Sequence, residues 1–269
     1  MKLAKLFAFL LFIFFYPSCS QAQKKPRYLS FSVENDSLRV IAKNTFLCPM
    51  FLKLKEKSIN STTFINLEAQ ASKQILSFSL NEMDSMTVLD RYDFNGLWYG
   101  KHKIQQYDSL YNYGLPFLKN KRYKVLQGQN TNFTHNGAFS KYAIDFKMNV
   151  GQTVCAMREG IVVKTIDQFK KGGRSKKYRP MANLIVIYHE DETFSQYVHL
   201  KHKGVLVKVG DTVQKGQPIG YSGNTGMSTQ PHLHFAVYKP TRKGLASIPY
   251  ILDSIPTHRY KKGKYAVNN

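Results

Sequence analysis

The sequence predicts an all-β protein in two parts, a small N-terminal β-sandwich followed by a larger β domain. Three observations predict it. Short runs of alternating apolar and polar residues recur from residue 27 onward, broken by Asn, Asp, Ser and Gly. Glycines and histidines become frequent after residue 121, with turns at short intervals. Lastly, "VGQTVCAMREGIVVK" (150–164) and "VGDTVQKGQPIGYSG" (209–223) share V-G-x-T-V followed by a glycine-punctuated strand. A repeated turn-and-strand unit implies two similar β motifs packed together.

Residues 1–22 read as a signal peptide. Lys2 and Lys5 make a basic start, Leu6 to Phe15 an apolar run, and Ser20 and Ala22 the small residues of a cleavage site before Gln23. That run is too short for a comfortable transmembrane helix, and no later stretch reaches the roughly 18 apolar residues one needs. The mature chain is therefore expected to be exported, periplasmic or extracellular, with no transmembrane segment. Cys19 offers a lipoprotein alternative. Ser18 suits it, whereas Tyr16 and Pro17 do not.

Residues 23–112 read as the N-terminal β domain. "YLSFSV", "LRVIA", "TFLCPMFLKL", "ILSFSL", "MTVLDRY" and "GLWYG" are its strands. "EAQASKQI" has the composition of a short helix, but it is brief and flanked by strand-like sequence. Gly114 and Pro116 mark 113–120 as a linker. Residues 121–240 form one compact β domain, and 241–269 a basic C-terminal tail. Cys48 and Cys155 sit in apolar contexts, as small buried hydrophobes do. A bridge between them stays open.

The formal charge is +22 over 269 residues, and +20 once Lys2 and Lys5 are removed. Such an excess implies an anionic partner. Export, and the lack of interleaved aromatic and basic residues, set nucleic acid aside. An anionic cell-wall or envelope surface remains. The densest clusters are "KKGGRSKKYR" (170–179) and "RYKKGKY" (259–265). A solvated loop and a solvated tail are their plain explanation, wall binding the functional one.

The chemistry gathers on histidines. In "QPHLHF" (230–235) an extended chain puts His232 and His234 on one face, with Leu233 and Phe235 on the other. In "THNGAFSKYAIDF" (134–146) Ala143 and Asp145 oppose Ile144 and Phe146. A hairpin at Asn136–Gly137 would bring His135 beside Asp145. In "FSQYVHL" (194–200) alternation pairs Tyr197 with His199, against Val198 and Leu200. A lone strand histidine is usually structural. Three strands that each offer ionisable groups on one face and apolar residues on the other suit a metal site. His189 opens a polar turn, and His102, His202 and His258 lie in basic surface sequence. The strand carrying His199 ends at Leu200, which removes His202 as a ligand.

In "HNGAFSKYAIDF", "VGQTVCAMREGIVV", "YVHL", "VKVGDTVQKGQPIGYSGNTG" and "PHLHF", taken in that order, the chain resembles the lysostaphin-type (LytM-like) zinc endopeptidases, which cut peptide cross-bridges in peptidoglycan. The resemblance covers about residues 121–240. It implies an all-β groove built from a duplicated hybrid motif, one Zn2+ per chain and peptidoglycan peptides as substrate. It also implies His135, Asp145 and His234 as metal ligands, with His199 and His232 as catalytic histidines. The family's spacing between the first His and the Asp is shorter and would land on Lys141. Here residues 136–144 intervene, read as a longer hairpin with the same ends. Zinc would polarise the scissile carbonyl and acidify a water. No H-E-x-x-H helix supplies a glutamate base, so a histidine would serve. Gly220, Gly223 and Gly226 read as tight turns. A non-catalytic wall-binding or hydrolase-activating module of the same fold is the alternative, and the complete histidine set argues against it. "GVLVKVGDTVQKGQPIG" also suggests a biotinyl or lipoyl carrier hairpin around Lys215. The flanking residues such carriers need are absent.

Overall fold

The protein is described by a computed structural model covering residues 28–104, 106–131 and 134–269. The predicted signal peptide and Cys19 lie outside the described residues. The N-terminal part contains β1 (Leu29–Glu34), β2 (Ser37–Lys43), β3 (Met50–Glu56), β4 (Ser61–Leu67), β5 (Ser72–Ser79), α1 (Ser85–Arg91) and β6 (Tyr92–Tyr99). Two antiparallel sheets, ordered β1-β2-β5 and β4-β3-β6, close over Leu38, Val40, Leu52, Leu54, Leu67 and Val88. Asn35 and Asp36 both take left-handed backbone between β1 and β2, as a two-residue hairpin requires. "MTVLDRY" is not a strand. Asp84 caps the backbone N–H of Thr87 at 2.8 Å and starts α1, which buries only Val88. Part of "EAQASKQI" instead pairs with β2 as the start of β5.

The second part follows as β7 (Asn112–Tyr113), β8 (Lys121–Gln127), β9 (Ile144–Phe146), β10 (Thr153–Cys155), β11 (Gly160–Ile166), β12 (Gly172–Gly173), β13 (Leu184–Tyr188), β14 (Phe194–Val198), β15 (Leu200–Val205) and β16 (Thr212–Val213). Then come β17 (Pro218–Ser222), β18 (Gly226–Met227), β19 (Leu233–Thr241), β20 (Gly244–Ser247), β21 (Ile251–Leu252), β22 (Ile255–Pro256) and β23 (Tyr265–Asn268). The main sheet among the described residues runs β16-β11-β13-β14-β19-β9-β8-β23, with β20 against the far half of β19. A smaller sheet, β10-β17-β15, lies across its core face.

The two V-G-x-T-V copies interlock. The first supplies β10 and β11, the second β16 and β17. β10 pairs with β17 in the small sheet, and β11 with β16 in the main one. Each copy thus gives one strand to each sheet. The shared glycines, Gly151 and Gly210, have φ of 90° and 101°, a conformation costly to any residue with a Cβ.

Two segments read as accessory belong to the core. In 113–120, Tyr113, Leu115 and Phe117 alternate and are buried with Phe146, Phe235 and Tyr250. The glycine and proline there hid a strand-like apolar period. In 241–269, β20 and β23 extend the main sheet, and Ile248, Tyr250, Leu252 and Tyr260 enter the core. The lysines of "RYKKGKY" stay in solvent while Tyr260 before them and Ala266 after them turn inward. Cys48 and Cys155 are free and buried, which pushes their thiols up to about 12 and about 11.

Candidate active site

Strand register builds the site. Asp145 is the middle residue of β9 and lies directly opposite His234 of β19, which in turn faces Val198 of β14. Directly opposed residues share a face. Ile144, Phe146, Leu233, Phe235 and Tyr197 therefore fill the core, leaving Asp145 and His234 on the other side. Further along that face, Ala236 and Tyr238 pack with Cys48 and Met50 from the N-terminal sandwich.

His234 Nδ1 lies 2.8 Å from Asp145 Oδ1, and His135 Nε2 lies 3.3 Å from the same oxygen. His135 arrives on a loop rather than a hairpin. Its backbone bridges Thr131, and turns at 137–141 lead on to β9. His135 Nδ1 is 2.9 Å from the Gly128 carbonyl, which can only accept, so Nδ1 carries the proton and Nε2 the lone pair. That Nε2 is buried without a hydrogen-bond partner. A lone pair and a carboxylate oxygen thus face each other away from water, an arrangement that calls for a cation between them.

The donor atoms of His135, Asp145 and His234 lie within 4.8 Å of one another. A tetrahedral zinc site with ligands near 2.1 Å would space them by roughly 3.4 Å. The side chains present therefore fit a divalent ion once the widest donor separation closes by about 1.4 Å at most, within reach of small side-chain rotations. Burial alone would raise the Asp145 carboxyl, but the neighbouring His135 and His234 rings outweigh it and hold the group well below its usual range. Burial opposes charge on His135 too. There Asp145 wins and raises it, the same preference for positive charge a metal would satisfy. Burial lowers His234.

His199 and His232 complete the cluster. Their ring centroids are 4.6 Å apart, and His199 is 6.1 Å from His234. His199 Nδ1 meets the Thr225 carbonyl at 2.6 Å, and His232 Nδ1 meets the Gln230 carbonyl at 2.8 Å and Ser228 Oγ at 3.1 Å. Both rings are thereby fixed with Nε2 free. His232 Nε2 is 3.9 Å from Asp145 Oδ2. Burial, then the neighbouring His232, lowers His199 to about 3 and keeps it neutral.

Alternation misplaced His199. Tyr197 is in the core, its hydroxyl accepting from the Met157 N–H. Strand β14 ends at Val198, and His199 has φ of 66°. This one residue carries the chain from the main sheet to β15 in the small sheet, and its left-handed backbone turns the ring away from Tyr197's side. The strand does not stop at Leu200, since β15 begins there. Gly223 is no simple turn glycine either, because a Cβ there would collide with the backbone of Leu200 and Lys201. His189 is buried, its Nδ1 on the Glu159 carbonyl at 2.7 Å and its Nε2 on Ser195 Oγ at 3.0 Å. The residues that orient the histidines, Gly128, Thr225, Ser228 and Gln230, act mostly through backbone carbonyls. No side-chain pattern could have revealed them.

Residues 139–246 match peptidase family M23. Peptidoglycan DD-endopeptidase ShyA of Vibrio cholerae is 37% identical over 125 residues, 45% of this chain and 25% of that protein. Lysostaphin of Staphylococcus staphylolyticus is 42% identical over 95 residues, 35% of this chain and 18% of its own length. An uncharacterized metalloprotease of Buchnera aphidicola is 27% identical over 224 residues, 80% of this chain and 54% of that one. This chain thus spans about half or less of the length of these relatives. Among solved structures, the catalytic domain of lysostaphin from Staphylococcus simulans is 30% identical, with 48% of this chain and 88% of that chain covered and a TM-score of 0.34. His135 precedes the span matched to the family.

Proposed function

Since this chain belongs to the lysostaphin-type peptidase family M23, we propose that it is an exported zinc endopeptidase that hydrolyses peptide bonds in the stems or cross-bridges of peptidoglycan. One observation carries the reading. A buried His–Asp–His cluster, one of whose nitrogens has no partner, stands beside two histidines with free Nε2 atoms.

His135, Asp145 and His234 would hold the ion. When bound, zinc polarises the scissile carbonyl and lowers the pKa of a water toward neutrality. The remaining work falls to His199 and His232. One accepts the proton of the attacking water at Nε2, and the other, protonated, gives a hydrogen bond to the developing oxyanion. The accepted proton passes to the leaving amine. Thr225 and Gln230 keep Nδ1 protonated on both rings, so each presents the correct nitrogen without reorganisation. The basic surface would hold the enzyme on anionic wall material.

The test is digestion of isolated sacculi with the products separated, before and after chelation and with zinc restored. Released cross-linked peptides that vanish with chelator and return with zinc support the reading. Undigested sacculi from a protein that carries one zinc per chain would leave the binding-module alternative in its place.

A further inference from the structure

The basic loop 170–179 is not a remote surface feature. Its short strand β12 runs parallel to β18, with Gly172 opposite Gly226 and Gly173 opposite Met227. Gly226 N–H donates to the Lys171 carbonyl at 3.1 Å, and Ser228 N–H to the Gly173 carbonyl at 3.2 Å. The same segment, 225–228, supports both candidate catalytic histidines, His199 through the Thr225 carbonyl and His232 through Ser228 Oγ. The loop is therefore hydrogen-bonded to the very segment that holds both candidate histidines, with β12 and β18 about 4.8 Å apart as paired strands are. Its position is fixed by close approach. A Cβ at Gly172 would overlap the Asn224 carbonyl, and Gly173 lies against the Tyr178 ring.

Lys170, Lys171, Arg174, Lys176, Lys177 and Arg179 are all exposed on this loop. Residues 168–189 contain no Asp or Glu to balance them. Six like charges held on one short loop repel one another, and an anion brought there relieves that repulsion.

Resting on the peptidase reading above, the geometry points to the loop 170–179 as a substrate subsite that binds carboxylates of the peptide close to the scissile bond. Adjacency decides the class of anion. A polymer anchor could stand anywhere on a surface this basic. A cluster hydrogen-bonded to the segment that holds His199 and His232 meets only groups within a few residues of the bond being cut. The loop is then a specificity element, selecting peptides with free carboxylates over the same peptides amidated.

The experiment compares a soluble cross-linked wall peptide with its carboxylate-amidated twin. The enzymes are the wild-type full chain and a variant carrying Lys170→Gln, Lys171→Gln and Arg174→Gln. These are solvent-facing changes that leave the β12 backbone pairing in place. On the free acid the variant should show KM raised about tenfold, as several weak exposed ion pairs would sum to, with kcat within about twofold. The twin should be unaffected, and the wild-type preference should shrink at high salt. Equal losses on both peptides, or no loss on either, would overturn the subsite. So would unchanged peptide kinetics with weakened binding to intact sacculi, which would make the loop a wall anchor. If wild type cleaves neither peptide, the peptidase reading fails by itself. Binding of the two peptides to the His232→Ala variant, with and without the loop changes, then decides the subsite separately.

Discussion

Asp145 shares one carboxylate oxygen between His234 at 2.8 Å and His135 at 3.3 Å, and the chemistry of the cluster follows from that sharing. Replacing His234 with Ala removes one ligand nitrogen and leaves His135 as the remaining ligand histidine beside Asp145. Both bound zinc and turnover should be lost, as metal analysis and sacculus digestion would register. His232→Ala should keep the metal, because His232 Nε2 is 3.9 Å from Asp145 Oδ2 and outside the ligand set, while kcat falls by about 10²–10⁴-fold. His135→Ala separates a ligand from a bystander, since zinc content should drop with it. Retained stoichiometric zinc would assign the orphaned Nε2 some other role. Of these residues, alternation within "AIDF" and "HLHF" exposed Asp145 and His234. His135 sits outside any strand, and its lone pair is defined by the Gly128 carbonyl, which leaves no trace in side-chain order.

Elements deliver these groups through two irregularities that strand patterns do not encode. One is His199, the left-handed link between β14 and β15. Asn tolerates that backbone, whereas Ala strains there by roughly 1–2 kcal/mol. Both His199→Asn and His199→Ala should lose turnover, but the Asn variant should unfold at the higher urea concentration. Equal midpoints would mean that the backbone at residue 199 stores no strain. The other is the glycine of each V-G-x-T-V copy. At Gly151 an added Cβ meets nothing within 4 Å, so Gly151→Ala isolates the cost of φ at 90°, about 1 kcal/mol by urea unfolding with metal content unchanged. The echo was legible because both copies need the same backbone turn at the same place. That β10 pairs with β17 and β11 with β16 was not legible, because pairing between copies depends on how two chain segments meet.

At the scale of the molecule, burial of a neutral histidine links stability to pH. His189 is buried, and burial lowers it from an ordinary value near 6.5 to about 4. Between those values the unfolded chain binds the extra proton and the folded chain does not. Stability is therefore full above about pH 6.5 and falls as the pH drops toward 4, by up to about 3 kcal/mol. His189→Gln should make that acid limb shallower in urea unfolding between pH 4 and 7, the share of buried His199 remaining, and an unchanged slope would locate the sensitivity elsewhere. Metal binding should act the same way on the whole fold. Zinc at about a thousand times its Kd adds about 4 kcal/mol, seen as a rise in Tm that chelator reverses. An ion that ties β9, β19 and the loop of His135 together joins segments almost a hundred residues apart in sequence, and the closure entropy such a tie removes from the unfolded chain grows with that length.

By itself the sequence determined the β class, the duplicated turn-and-strand unit, the basic surface and the residues with metal-binding chemistry, because period, turn glycines and side-chain type are local properties. Only the tertiary structure decided that the stretch 113–120 and the last thirty or so residues belong to the core, that His199 escapes Tyr197's face, and that the loop 170–179 lies against the segment supporting both free imidazoles. Each of these depends on register and on which backbone carbonyl lies nearby. Such facts arise when distant strands pair, and no local pattern carries them.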